Sequence, residues 1–312
     1  DLIMHFIKAK VSKIILALTS VGIVILLMFP ASLSANHFRS GTMSWEPISD
    51  NGTHVTISLK MQVGWTADHS DWNAYTEGEI KENYQTIYWG DGTNSGSTID
   101  FKVLSRDNTT NDTITEMGHS SSGWTAAVTH AFADNGTTEY VIYWSGGARE
   151  TVENSANGTT WRNETKVNIG GPYDNNTSPV SAVPSVVQVQ DNTTFSYQVS
   201  ATDTNSDNLT YRWGLMQEFF VANGKGDTDN YTMPTGMTLS SSGLIEWDIR
   251  NTGGQATDED DLWVSVIMVE DIHDNGSVKS NIPVDFFFKI ASASNDAPVF
   301  SQFSSDSTVS VN

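Results

Sequence analysis

Between His54 and Val63 the chain alternates without a break. Val55, Ile57, Leu59, Met61 and Val63 fall on one side, and Thr56, Ser58, Lys60 and Gln62 on the other. A period of two belongs to a strand with one buried face, because helix faces repeat every three to four residues. The same period returns in Ile99, Phe101 and Val103, in Phe195, Tyr197 and Val199, in Leu209, Tyr211 and Trp213, and in Val284, Phe286, Phe288 and Ile290. Leu262 to Val269 is an apolar run. No long helical apolar pattern follows the N-terminal segment, and Thr, Ser, Asn, Asp and Gly fill the gaps between runs. These are turn formers, so the pattern predicts an all-β chain of short strands and many turns.

The chain has 312 residues, enough for about two domains of ordinary size. Its 10 Trp, 9 Tyr and 13 Phe suit thin sandwich cores, where few residues must each bury much area. A net charge of -21 argues against nucleic acid, whose binding needs a basic face to release counterions, and disfavours anionic membrane surfaces. It fits either cation binding or a solvated, salt-tolerant extracellular surface. There is no cysteine, which excludes disulfide frameworks and thiolate metal sites.

Lys8, Lys10 and Lys13 precede the apolar run Ile14 to Phe29, which Pro30 and the small residues Ala31 to Ala35 close. That order predicts a secretory signal over residues 1–35, cleaved after Ala35, or else a retained signal anchor. A first β domain is expected over 36–171. Its further strands are expected at Thr86–Trp89, which runs into Gly90-Asp91-Gly92, at Trp124–Phe132, and at Tyr140–Trp144. Residues 172–185, with Gly171, Pro172, Asn175, Asn176, Pro179 and Pro184 in or beside them, predict a turn-rich linker. A second β domain is expected over 186–292, with about seven short strands and turns every 8–12 residues, as in an immunoglobulin-like sandwich. Residues 293–312 suggest the start of a further repeat, cut short.

Two ordered motifs carry a resemblance. Trp89-Gly90-Asp91-Gly92, then Thr129-His130-Ala131-Phe132 and Gly136 to Val141, resembles the signature of polycystic-kidney-disease-type (PKD) domains. The second half is similar to cadherin-like domains of the dystroglycan and immunoglobulin-related type. The matching pieces are Ala201-Thr202-Asp203, Asp207 to Tyr211, Pro234 to Met237, Ser242 to Trp247, Val269-Glu270-Asp271 and Asn295 to Phe300. His37-Phe38-Arg39 with Gly41 and Trp45 looks like the opening of large secreted multidomain proteins. The resemblance implies β-sandwiches of a secreted or cell-surface protein, and no chemistry. It departs from cadherins proper at Ser292-Ala293-Ser294, where an acidic junction is missing.

Calcium takes six to eight oxygen ligands. Asp203, Asn205 and Asp207 at alternate positions could turn oxygens inward, and Asp271, Asp274, Asn295 and Asp296 could approach the same domain end, as in cadherin-like folds. The loop is no EF-hand, since Asn208 stands where Gly is needed and Gly214 where the bidentate Glu belongs. The competing reading is that Asp and Asn simply make turns. Asp258 to Asp261 is either a cation collector or a solvated loop. His69 lies between Asp68 and Asp71, but no second His stands at a ligand spacing in sequence. Trp65, Trp72, Trp124 and Trp161 could stack on sugar rings or fill the first core. Sequons at Asn51, Asn108, Asn111, Asn135, Asn157, Asn163, Asn192, Asn208, Asn230 and Asn275 make glycans an expectation. No nucleophile or zinc-protease motif is present, so no enzyme is expected.

The sequence therefore predicts a non-catalytic extracellular adhesion or structural protein of two tandem immunoglobulin-like β-sandwiches, with Ca2+ at the cadherin-like domain end. Its partners would be other cell-surface proteins or glycans. Membrane contact would run only through the N-terminal segment or a C-terminal anchor beyond this chain. The alternative is a carbohydrate-binding or accessory region of a larger secreted enzyme.

Overall fold

The computed structural model describes residues 37–292, apart from 97–98, 109, 135–137, 156–159, 221–230 and 251–253. The expected signal segment 1–35, the repeat start 293–312 and the candidate ligands Asn295 and Asp296 lie outside the described residues. So do the sequons at Asn135, Asn157 and Asn230.

The first half contributes β1 (Phe38–Asp50), β2 (His54–Thr66), β3 (Ile80–Gln85), β4 (Ile99–Asp107), β5 (Asp112–Gly118), β6 (Val128–Ala133), β7 (Thr138–Gly146) and β8 (Trp161–Ile169). The second contributes β9 (Val180–Ser181), β10 (Val186–Gln190), β11 (Thr194–Gln198), β12 (Ala201–Thr202) and β13 (Asn208–Trp213). After the short helix α1 (Met216–Phe219) come β14 (Met237–Leu239), β15 (Leu244–Asp248), β16 (Leu262–Ile272) and β17 (Val278–Ala291). The chain is all-β, as its alternation predicts.

Strand β17 organises the sheets. It pairs antiparallel with β16 along most of its length, with β1 at Thr42–Val284 and Gly41–Asp285, and with β8 at Lys166–Asn281. Its last residues run parallel to β10, from Val186–Phe287 to Gln190–Ala291. One 12-stranded network therefore runs from the first half into the second, in the order β13-β16-β17-β1-β2-β5-β4-β3 with β6, β7, β8 and β10 attached. Strand β2 does the equivalent work in the first half. Its early residues pair with β6 and its late ones with β5. Two small sheets, β11-β15-β14 and β12-β9, complete the second half.

The apolar side chains segregate. Phe38, Trp65, Trp72, Phe101, Trp144 and Trp161 anchor a cluster drawn wholly from the first half. Trp247, Ile267, Phe286 and Phe288 anchor one drawn wholly from the second. A third cluster joins Val152 to Phe219, Phe220, Val264 and Phe287, and so spans the two. The predicted linker is tied down: Ser178 Oγ accepts from Trp45 N at 2.7 Å, β9 pairs with β12, and Ser185 donates to Asp112.

Two local expectations are corrected. Thr86–Trp89 makes only isolated bridges, Tyr88 to Asn94 and Tyr88 to Tyr143. The reason is the tight turn that follows, where Thr93 N and Oγ1 both bond Asp91 Oδ1 at 2.9 and 2.7 Å and pull the chain out of any ladder. Gly90 is needed there. At φ 84° it lies so close to β7 that a Cβ would sit 2.5 Å from Val141 O. The strand expected from Trp124 begins only at Val128. Trp124 follows the turn that Gly123 N closes on Ser120 O, with Gly123 at φ 102°, and its indole donates to Glu116 Oε1 at 2.7 Å. The two quoted first-half motifs do meet. His130 Nε2 lies 2.7 Å from Asp91 Oδ2, and its ring stacks on Trp89 at 4.5 Å between centroids.

Candidate functional site

The loop from β12 to β13 is folded by its own short side chains. Ser206 N bonds Asp203 O at 3.2 Å, Asp207 N bonds Asp203 Oδ1 at 3.1 Å, and Ser206 takes a positive φ of 63°. The turn reading of these residues is therefore correct as far as it goes. It leaves Asp203 and Asp207 turned toward β16, where Asp271 stands opposite Leu209 of β13 and Ser280 of β17. One carboxylate oxygen from each of Asp203, Asp207 and Asp271 lies within 4.8 Å of the other two.

Each oxygen can be traced. Asp271 is wholly buried; Oδ1 accepts from Ser280 N at 2.5 Å and Oδ2 from Asn176 Nδ2 at 3.0 Å. Asp207 Oδ1 accepts from Lys279 Nζ at 2.5 Å. Asp203 Oδ2, Asp207 Oδ2 and the hydroxyl of Ser280 are buried with no hydrogen-bond partner among the described residues. A buried carboxylate oxygen without a donor is expensive, of order 1–3 kcal/mol or more for a charged group. Burial pushes the Asp271 carboxyl above the usual range, and amide donors from Ser280 and Asn176 only partly restore it. Burial likewise raises Asp203, with Asp207 adding like-charge repulsion.

Asn205 goes elsewhere. Its Oδ1 accepts from Thr177 N and Oγ1, both at 2.7 Å, and its Nδ2 donates to Asn175 O at 3.1 Å, so it holds the connection from β8. Asp274 is exposed on the β16–β17 turn, outside the converging group. Sequence reasoning missed Asn176, Lys279 and Ser280. Lys279 is the important one, because its ammonium already stands where a cation would be attracted. Only the pairing of β16 with β17 sets it there, a register that no sequence pattern announces.

A hard cation fits this donor set: carboxylate oxygens, two of them orphaned, beside a hydroxyl. It would have to displace or share with Lys279. Asp203, Asp207 and Asp271 would hold it, and what it would supply is charge compensation for buried carboxylates.

Other sequence candidates resolve differently. Trp65, Trp72 and Trp161 are 0–1% exposed and fill the first core, so they offer no ring to a sugar; Trp124 alone is half-buried. Asp258 to Asp260 are exposed, and Asp260 pairs with Lys289 at 3.0 Å, a solvated loop. Asn163 is 0% exposed and cannot accept a glycan in the folded chain, whereas Asn51, Asn108, Asn192, Asn208 and Asn275 are exposed.

The strands and loops define an all-β chain. Residues 39–170 match the family model described as "Integrin beta-like protein A-E, N-terminal", and residues 177–258 match that described as "Putative Ig domain". Integrin beta-like protein B of Dictyostelium discoideum is 26% identical over 227 residues, which cover 70% of this chain and 10% of that protein. Integrin beta-like protein C of the same organism is 26% identical over 222 residues, covering 67% and 10%. The chain thus spans about a tenth of the length of the curated relatives it matches. Among solved structures, the two tandem V-type regions of VCBP3, a v-region-containing chitin-binding protein, are 12% identical and cover 79% of this chain and 99% of that one, with a TM-score of 0.34. The tandem Ig repeats of Dlar are 10% identical, covering 80% and 98%, with a TM-score of 0.23. The all-β architecture rests on the chain's own strands rather than on these likenesses.

Proposed function

We propose that this chain is the outward-facing part of a non-catalytic cell-surface or secreted protein. Its sheets would serve adhesion or spacing, and Ca2+ at Asp203, Asp207 and Asp271 would stiffen the region where the connection from β8 meets the second half. The observation that carries the calcium reading is the pair of orphaned, buried carboxylate oxygens, Asp203 Oδ2 and Asp207 Oδ2. A bound ion would give them a partner, and through Asn176 and Asn205 would fix the incoming chain.

The surface reading is supported by the match of residues 39–170 to the integrin beta-like N-terminal model. The contact between His130 and Asp91 supports reading the first half as PKD-like, since the two halves of that signature act as one unit. The second half is read as cadherin-like on the placement of Asp203, Asp207 and Asp271 at one end of its strands. Partners would be other surface proteins or glycans.

Calorimetry of the chain with millimolar Ca2+ and with chelator tests the ion. A higher melting temperature in calcium, reversed by chelator and absent in Asp271→Asn, is the expected result; superimposable curves would remove calcium from the proposal. Antibody labelling of intact cells tests the location, and staining only after permeabilisation would end that part.

A further inference from the structure

We propose that His37, His69 and Asp71 form a binding site for a divalent ion of the zinc class, in the first half and separate from the acidic cluster. The sequence hides this site because His37 and His69 are far apart along the chain. The fold closes the gap. His37 enters β1 with its amide bonded to Ala148 O at 2.9 Å, and its carbonyl accepts from Thr66 N at 2.8 Å. The turn after β2 then folds back over it: His69 N bonds Thr66 O at 3.3 Å and Trp72 N bonds His69 O at 2.8 Å. Asn111 Oδ1 holds the same turn through Asp68 N at 2.9 Å.

The result is a convergence of ligand atoms. His37 Nε2 and His69 Nδ1 each lie 3.8 Å from Asp71 Oδ2, and one ligand atom from each of the three residues falls within 4.8 Å of the others. Ligands of a tetrahedral zinc at about 2.0–2.1 Å stand about 3.4 Å apart, so a shift of a few tenths of an ångström brings each nitrogen into range of the carboxylate's partner position. Two imidazoles and a carboxylate are also the donor types that such ions prefer over calcium.

The surroundings favour a site over a chance cluster. The His37 ring is stacked on Trp65 at 5.3 Å and on His69 at 4.3 Å, so a dry aromatic wall backs one side. Side-chain exposures of 11% for His37, 16% for His69 and 40% for Asp71 leave a path in from the other. Tyr84 Oη lies 3.2 Å from Asp71 Oδ2 and 3.3 Å from His37 Nε2, a further polar atom at the point of convergence. Lys81 Nζ grips Asp71 Oδ1 at 3.0 Å and Asp71 O at 2.9 Å, which aims Oδ2 at the imidazoles.

Two features oppose the ion and set its strength. His69 Nδ1 now accepts from Asp71 N at 3.1 Å, a bond the metal would replace, and Lys81 offsets the carboxylate charge. Binding is therefore expected on the order of micromolar rather than nanomolar.

Titration of the full chain with Zn2+ alone, followed by calorimetry, tests this. One equivalent is expected to bind, unaffected by excess calcium or by Asp271→Asn, and weakened about tenfold or more by His69→Gln. Melting of each variant without metal is run alongside, since His69 lies on a surface turn and its replacement is expected to leave the apo fold intact. X-ray absorption of the zinc-loaded chain gives an independent readout, with two imidazoles in the expected shell. No binding by the unaltered chain, undiminished binding by a folded His69→Gln chain, or a shell without imidazole would each overturn the site. If zinc binds but calcium leaves the melting curve unmoved, this site stands and the calcium reading alone fails.

Discussion

Two buried carboxylates lie on the β16–β17 hairpin, and they are satisfied in opposite ways. Asp285 faces the seam between the halves, where Arg149 from the first half grips it with Nη1 at 2.8 Å and Nη2 at 2.6 Å, both side chains 0% exposed. The guanidinium is further sandwiched by the rings of Phe38 and Phe220, each centred 5.0 Å away. Among the described residues Asp271 has no cation of its own. It leans on two neutral N–H donors, with orphaned oxygens of Asp203 and Asp207 beside it. The first carboxylate is closed: its charge is neutralised by a planar fork that matches it. The second is open, and an open acidic pocket is where an ion or a proton has something to gain. One clamps two halves of the chain together; the other is poised to respond to its solution.

The largest test removes the clamp. Arg149→Met leaves Asp285 buried without its cation and is expected to lose about 3–5 kcal/mol in urea denaturation. Arg149→Met with Asp285→Leu should recover most of that loss. A neutral single variant would break the contrast. Next is calcium itself, expected to add about 2.7 kcal/mol at a hundredfold excess over its dissociation constant, read from the same denaturation curves. Lys279→Met sharpens the comparison further. With the competing ammonium gone, calcium should bind about tenfold tighter in a chelator competition, a gain of roughly 1.4 kcal/mol.

Protons offer a gentler handle on the open site. Asp271 and Asp203 titrate above the ordinary value of 3.8, so the folded chain holds protons that the unfolded chain has already released. Without calcium, stability contributed at these groups should fall as pH rises from that value through their raised folded values, and be unaffected below it. Urea midpoints of Asp271→Asn across that window should show a flatter fall than those of the unaltered chain. At the small end, Lys60→Ala removes an ion pair to Glu46 at 2.8 Å whose side chains are 55% and 48% exposed. It should change stability by no more than about 0.5 kcal/mol in the same assay.

Strands were legible where apolar side chains recur at every second position, even on β17, whose intervening Asp285 and Phe287 are buried as well. Strands β2, β4, β11, β13 and β17 read in this way. Strand β8 did not, because its inward positions include Asn163 and Thr165, both 0% exposed. They face the seam, where Thr165 donates to Asn281 O and Asn281 Oδ1 accepts from Lys166 N. Polar residues turned inward to bond another strand look like a solvent face in sequence. Helix α1 was equally hidden. Four residues are too few for a period, and Glu218 holds it by accepting from Leu215 N at 2.7 Å and pairing with Arg212.

The candidate sites divide along the same line. Asp203 and Asp207 could be singled out because they share one short loop. Asp271 joined them in the sequence reading through the family resemblance. Lys279 and Ser280 could not be found, since only the pairing of β16 with β17 sets them beside Asp271. His37 and His69 are the stronger case, brought into ring contact by a turn that folds back over the start of β1.

By itself the sequence determined that this chain is all-β, that its strands bury aromatic-rich faces, and that it is strongly acidic, because period and composition are local properties. Which acids would share a pocket, which would be clamped by arginine and which histidines would touch were decided only when distant strands paired. Electrostatic cost and metal affinity depend on distances of a few ångströms between groups that the chain order leaves far apart.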